Sequence, residues 1–315
     1  MGRSALTDKN NGATVDKNLI NEAASLLNPS KTNRREFLKV GATVATGLGY
    51  VAAAKPVMAQ AIKTDFEGIQ AGEVTVMSKD FQMSAYVSRP KQIPKTGLPV
   101  IIVISEIFGV HEYIADVTRR FAKLGYLAIA PELFARAGDP SALGTMAEIM
   151  SEIVAKTPDA QVMDDLKATL AWVGKNGGDL KRVGMTGFCW GGRITWLACA
   201  QLPEIKAGVA WYGRLVGDKT ANSPLNPIDL AAQMKAPVLG LYGGADAGIS
   251  VESINQMKAA LAAAKGNQAA QAASFEIYPD APHAFHADYR SSYREAPAKD
   301  GWARCIAWFK QQGVV

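Results

Sequence analysis

The sequence predicts an α/β fold, a mostly parallel central sheet with helices on both faces. Three observations predict it. From about residue 72 onward, strand-like and helix-like runs alternate, the order that βαβ units produce. Pro99-Val100-Ile101-Ile102-Val103-Ile104 is a nearly unbroken β-branched run, as expected of a parallel strand buried on both faces. With 48% hydrophobic and 20% charged residues in 315, the chain can bury a sizeable core and is excluded from the disordered class.

The elements follow in order. Residues 73–77 and 82–87 alternate apolar and polar around Ser78-Lys79-Asp80, which predicts a hairpin. After the strand ending at Ile104, a helical pattern over 113–124 leads through Gly125 into a strand over 126–130 that stops at Pro131. Two helical patterns, 143–155 and 159–174, precede a strand over 182–186 and a helix over 193–201. Strands over 207–212, 237–242 and 274–278 come next, with helices over 251–265 and 299–310. No internal repeat interrupts this pattern, so residues 62–315 read as one domain. In such a sheet, functional residues are expected in loops beyond the carboxyl ends of the strands.

Residues 1–61 read differently, as a leader. Thr32-Asn33-Arg34-Arg35-Glu36-Phe37-Leu38-Lys39 precedes a mild Gly/Ala-rich run over 40–54, too short and too weakly apolar for a membrane span. Small-residue sites follow at Val57-Met58-Ala59 and Ala59-Gln60-Ala61. The segment resembles a twin-arginine export signal, which implies a periplasmic protein whose passing partner is the twin-arginine translocase. An uncleaved amphipathic leader or anchor is the competing reading. Four of the five net positive charges fall in residues 1–59, so the mature part is nearly neutral and a nucleic-acid partner is not expected. No stable membrane association is expected either.

The three cysteines, Cys189, Cys199 and Cys305, are too few for a disulfide scaffold. Cys199 and Cys305 lie in apolar helical stretches and read as buried inert thiols, with a bridge between them as the alternative.

Cys189 stands apart. Gly187-Phe188-Cys189-Trp190-Gly191-Gly192 falls where a strand pattern gives way to a helix pattern, with glycine two positions either side of a nucleophile. A sharp strand-to-helix turn strains the central backbone and crowds both flanking positions, so side chains there would collide. The thiol then sits at a helix N-terminus, whose dipole favours a thiolate. In this fold an acid and a base follow the nucleophile in that order. Asp246 lies after the strand 237–242 and His283 after the strand 274–278. Taken singly, the first reads equally as a turn residue or cap and the second as a solvated histidine; together, in order, they complete a triad.

At these residues the chain resembles the dienelactone hydrolase (carboxymethylenebutenolidase) family of α/β-hydrolases, over about residues 72–312. The resemblance implies a lactone or carboxylic ester as small-molecule substrate, Cys189 as nucleophile, His283 as base then acid, and Asp246 as the group that fixes the imidazole. It implies that Glu106, in Ser105-Glu106-Ile107-Phe108-Gly109-Val110, holds the thiol in the empty site. Backbone N–H groups of Ile107 and Trp190 would form the oxyanion hole. Arg136, in Pro131-Glu132-Leu133-Phe134-Ala135-Arg136, would bind a substrate carboxylate, and Tyr212 would wall the pocket. One position departs: Ala287 stands where the family has a second carboxylate-binding arginine; Arg290 could reach in from the next turn, but reads first as a surface salt-bridge residue. A generic esterase without carboxylate preference, or a non-catalytic hydrolase-like binding protein, are the alternatives. No cofactor is implied. His111, His283 and His286 are too loosely spaced for a metal site, and none is expected.

Overall fold

A computed structural model describes residues 61–315; the leader, with its arginine pair, lies outside the described residues. Eight strands form one sheet in the order β1-β2-β4-β3-β5-β6-β7-β8. They are β1 (Ile69–Ser78), β2 (Phe81–Pro90), β3 (Leu98–Ile104), β4 (Leu127–Pro131), β5 (Gly178–Phe188), β6 (Ile205–Trp211), β7 (Val238–Gly243) and β8 (Ser274–Tyr278). Only the β1–β2 hairpin is antiparallel to its neighbours; from β4 through β8 every pairing is parallel. The five long helices are α1 (Glu112–Lys123), α2 (Asp159–Lys175), α3 (Trp190–Gln201), α4 (Val251–Ala263) and α5 (Glu295–Gln311).

The predicted α/β-hydrolase architecture is therefore present, and its central strands explain why. Val100 to Ile104 are wholly buried, as are Val183, Met185, Val209 and Leu241 on neighbouring strands, so the sheet is the middle of the core. Strand order reverses at β3, which has β4 on one side and β5 on the other. The loops leaving the carboxyl ends of β3 and β5 thus diverge and open a crevice between them. Into that crevice the chain places residues 105–110 and Cys189.

One predicted helix does not form as drawn. Residues 143–155 break into a single α-turn (Met146–Glu148), a π-turn (Ile149–Ile153) and a 3₁₀ turn (Val154–Lys156). Thr145 and Glu148 make a capping box that starts the helix late, and the wide turn lets Ile149 reach a small apolar cluster with Ile107 and Met146. Other boundaries move by a few residues: β1 begins at Ile69, β5 at Gly178, α3 at Trp190 and α5 at Glu295.

Candidate active site

Cys189 lies between the last residue of β5 and the first of α3, with φ 54° and ψ −114°. An L-residue is strained there, and the surroundings hold it in place. Its N–H donates to the Trp211 carbonyl at 3.0 Å, and its carbonyl accepts from Arg193 N–H at 3.2 Å. The flanking glycines are demanded by space: a Cβ on Gly187 would lie 2.1 Å from the Gly191 carbonyl oxygen, and one on Gly191 would lie 2.4 Å from that of Ile104. The elbow therefore fits only because β3, β5 and α3 meet without side chains.

The candidate acid and base, Asp246 and His283, follow β7 and β8. His283 Nδ1 donates to Asp246 Oδ2 at 2.7 Å. The other oxygen of Asp246 accepts the N–H groups of Gly248 (2.8 Å) and Ile249 (3.1 Å), which fix the carboxylate plane. Both side chains are buried. Burial disfavours the charged imidazole, but negative charge on Cys189 and the hydrogen bond to Asp246 overcome it and raise the His283 pKa to about 10. The ring is thus tuned by the thiol and the acid together.

The buried polar atoms without a hydrogen-bond partner among the described residues include Glu106 Oε1 and the Tyr212 hydroxyl. They belong to one locality, since the Tyr212 hydroxyl is pushed well up by burial and then by Glu106, Tyr289 and Cys189. Tyr212 itself has φ 40° and sets its ring edge-on to His283 at 5.0 Å between centroids. Unpaired buried polar atoms are costly, so their proximity marks a candidate ligand site. Among the described residues the Ile107 N–H donates no hydrogen bond, and Trp190 is the first residue of α3, where helix geometry offers its N–H no acceptor.

Three expectations are corrected. Glu106 does not hold the thiol: its Oε2 lies 3.2 Å from His111 Nε2 and its Oε1 has no partner, because His111 at the start of α1 captures the carboxylate. Arg136 does not join the site. Its guanidinium donates to Asp165 Oδ2 (2.6 Å) and the Ser78 carbonyl (3.2 Å), and lies 4.3 Å over the Phe81 ring. Asp165 is wholly buried and draws the cation to the hairpin edge of the sheet. Arg290 is not a surface residue; it is buried and stacks over Phe108 at 5.3 Å. Its charge also acts on the Tyr212 hydroxyl, so the reading in which it reaches in from the next turn is the one the structure favours. Among the described residues, His286 is buried away from any metal-ligand cluster: it bonds the Tyr113 hydroxyl at 2.5 Å inside a wall of Phe188, Trp211 and Trp302.

Cys199 and Cys305 are free, buried thiols whose pKa values burial pushes up, so the inert reading holds and the bridge does not form. Sequence reasoning gave no role to His111, and none to Glu132. The signal for Glu132 was an acid in the first turn after a buried strand, where nothing solvates it.

Residues 83–313 match the "Dienelactone hydrolase family". The chain belongs to the dienelactone hydrolase family. A relative from Methylorubrum extorquens, named "Putative carboxymethylenebutenolidase", is 55% identical over 86% of this chain and 92% of its own length. A protein of the same name from Escherichia coli K12 is 51% identical over 84% of this chain and 96% of its own. Among solved structures, a "Putative Dienelactone Hydrolase" from Klebsiella pneumoniae superposes with a TM-score of 0.74 at 52% identity, over 77% of this chain and 99% of that one. The chain is a dienelactone hydrolase-like hydrolase with the α/β-hydrolase fold.

Proposed function

We propose that this family member hydrolyses a carboxylic ester or lactone through Cys189, His283 and Asp246. The observation that carries the reading is the strained Cys189 at the mouth of α3 together with a His283 ring held 2.7 Å from Asp246 and titrated by the thiol. The thiolate attacks the carbonyl carbon and forms a C–S bond, and the carbonyl π electrons move onto oxygen. Ile107 and Trp190 N–H groups then stabilise that oxyanion, each worth about 3 kcal/mol in acyl-transfer sites. Collapse breaks the C–O bond, and imidazolium His283 gives its proton to the departing alkoxide. Water, its proton taken by His283, attacks the thioester and frees the acid and the thiolate.

Arg290, stacked on Phe108 beside Tyr212, supports a preference for substrates carrying an acid group, the role first expected of Arg136. Glu106 and Tyr212 line the reacting centre. Hydrolysis of p-nitrophenyl acetate by the wild type and by Cys189→Ala tests the reading. The expected result is loss of nearly all turnover in the variant; equal rates would leave a binding protein.

Residues 1–61 are proposed to export the folded hydrolase to the periplasm. The support is the pair Arg34-Arg35 ahead of a mild apolar run. Replacing both by Lys should strand the protein in the cytoplasmic fraction, and unchanged periplasmic activity would refute it.

A further inference from the structure

The geometry points to Glu132 as a positioning residue for the oxyanion hole, through a carboxylate clamp on the loop that carries Ile107. This rests on the hydrolase reading above, which supplies the role of that loop.

Residues 105–110 leave β3 and make a tight turn, closed by Gly109 N–H donating to the Glu106 carbonyl at 3.3 Å. Ile107 lies inside the turn. The turn's own hydrogen bond does not fix how it leans over the sheet, and the packing of Ile107 on Met146 and Ile149 holds only one side. The neighbouring strand fixes it. β4 runs parallel to β3, so the loop after β4 emerges alongside, and Glu132 is its first residue. Its own N–H donates to the Ser84 carbonyl on β2 at 2.9 Å, which ties its backbone to the sheet.

The Glu132 side chain turns back under the turn. Oε2 accepts Val110 N–H at 2.8 Å, and Oε1 accepts Phe134 N–H at 3.4 Å. The carboxylate is 1% exposed, so these bonds are made away from water. Gly109 completes the fit. With φ +73° it already favours glycine, and a Cβ there would lie 2.9 Å from both carboxylate oxygens. Turn and carboxylate are therefore matched surfaces, and a shift in either moves Ile107.

The same short loop reaches the other donor. Phe134 packs its ring on Trp190 at 4.5 Å between centroids. Glu132 thus fixes the turn bearing one N–H, while the residue it bonds leans on the side chain of the residue bearing the second. Oxyanion donors act only when preorganised, and a displacement of about 1 Å far from the chemistry costs on the order of 100-fold in rate.

The test is steady-state hydrolysis of p-nitrophenyl acetate, with iodoacetamide alkylation of Cys189 measured alongside. Alkylation reports the nucleophile without building a tetrahedral oxyanion. Glu132→Ala is expected to lower kcat about 100-fold, with KM and the alkylation rate each within about 3-fold of wild type. Glu132→Gln keeps an oxygen for Val110 N–H and should recover kcat to within about 10-fold of wild type. Gly109→Ala, which pushes on the carboxylate, should lower kcat as well. Combined with Glu132→Ala, it should cost less than the two effects multiplied, since the methyl then meets no carboxylate and only the backbone strain at φ +73° remains.

The inference is overturned if kcat holds in Glu132→Ala, if the two substitutions multiply, or if alkylation falls in step with kcat. Should Glu132→Ala fail to fold, Glu132→Gln and Gly109→Ala carry the same comparison. A wild type that does not hydrolyse the ester at all would instead refute the hydrolase reading, so the two failures are distinct.

Discussion

The loops after β4 and β8 leave the carboxyl ends of the strands, and each carries an arginine and an acid or histidine. They do different work. The β8 loop puts His283 beside Asp246 and the Cys189 thiol, and Arg290 beside Tyr212. The β4 loop sends Arg136 to the buried Asp165 at the hairpin edge and Glu132 beneath the turn at Gly109. A place after a strand sets a residue's neighbourhood, and the nearest buried counter-charge or donor decides where the side chain goes.

The β8 loop repeats the lesson on a smaller scale. His283 and His286 are both buried, yet their protonation is opposite. Negative charge on Cys189 and Asp246 outweighs burial at His283, whereas at His286 burial acts unopposed and Arg120 adds to it, holding the ring well below its ordinary pKa. One histidine is a charged partner and the other an apolar wall.

The contrast can be broken most sharply with His283→Ala and Arg136→Ala. The first should lower kcat/KM by about 10⁴-fold or more, as loss of a triad base does elsewhere. Arg136→Ala should leave kcat/KM within about 3-fold but lower unfolding stability by about 3 kcal/mol in urea, because Asp165 loses its cation. If Arg136→Ala instead weakens only carboxylate-bearing substrates, the division of labour between the loops is reversed.

A smaller effect separates the two arginines. Arg290→Ala should raise KM for a carboxylate-bearing ester by about 10-fold or more, the worth of one charged hydrogen bond, and leave a neutral ester little changed. Equal loss on both esters would reduce Arg290 to a packing role.

The pH dependence of stability gives the smallest and most specific signal. His283 has a raised folded pKa, so its contribution is complete below the unfolded value near 6.5 and is lost as pH climbs toward about 10. His286 has a depressed one, so the unfolded chain gains a proton the fold refuses, and stability is lost as pH falls below about 6.5. Asp246→Asn should flatten the alkaline limb of urea midpoints and leave the acid limb as it was. Superimposable alkaline limbs would show that Asp246 does not hold the proton on His283.

Much of this was legible in the chain. The β-branched run at Val100 to Ile104 required a two-sided burial that only a covered parallel sheet provides, and the glycines around Cys189 announced a turn with no room for side chains. That Cys189, Asp246 and His283 each follow a strand, in that order, could be read from local pattern alone. Local pattern erred at residues 143–155, where a capping box and a π-turn replaced one regular helix.

What tertiary structure alone decided was the direction of the charged side chains. Arg136 and Arg290 are indistinguishable as letters, and only the position of Asp165 and of the Phe108 ring sends one to the sheet edge and the other to the site. Glu106 pairs with His111, and Glu132 finds Val110 N–H, through contacts that no periodicity encodes. Periodicity reports which face of an element is buried, since that depends on neighbours in sequence. Charge pairing depends on neighbours in space.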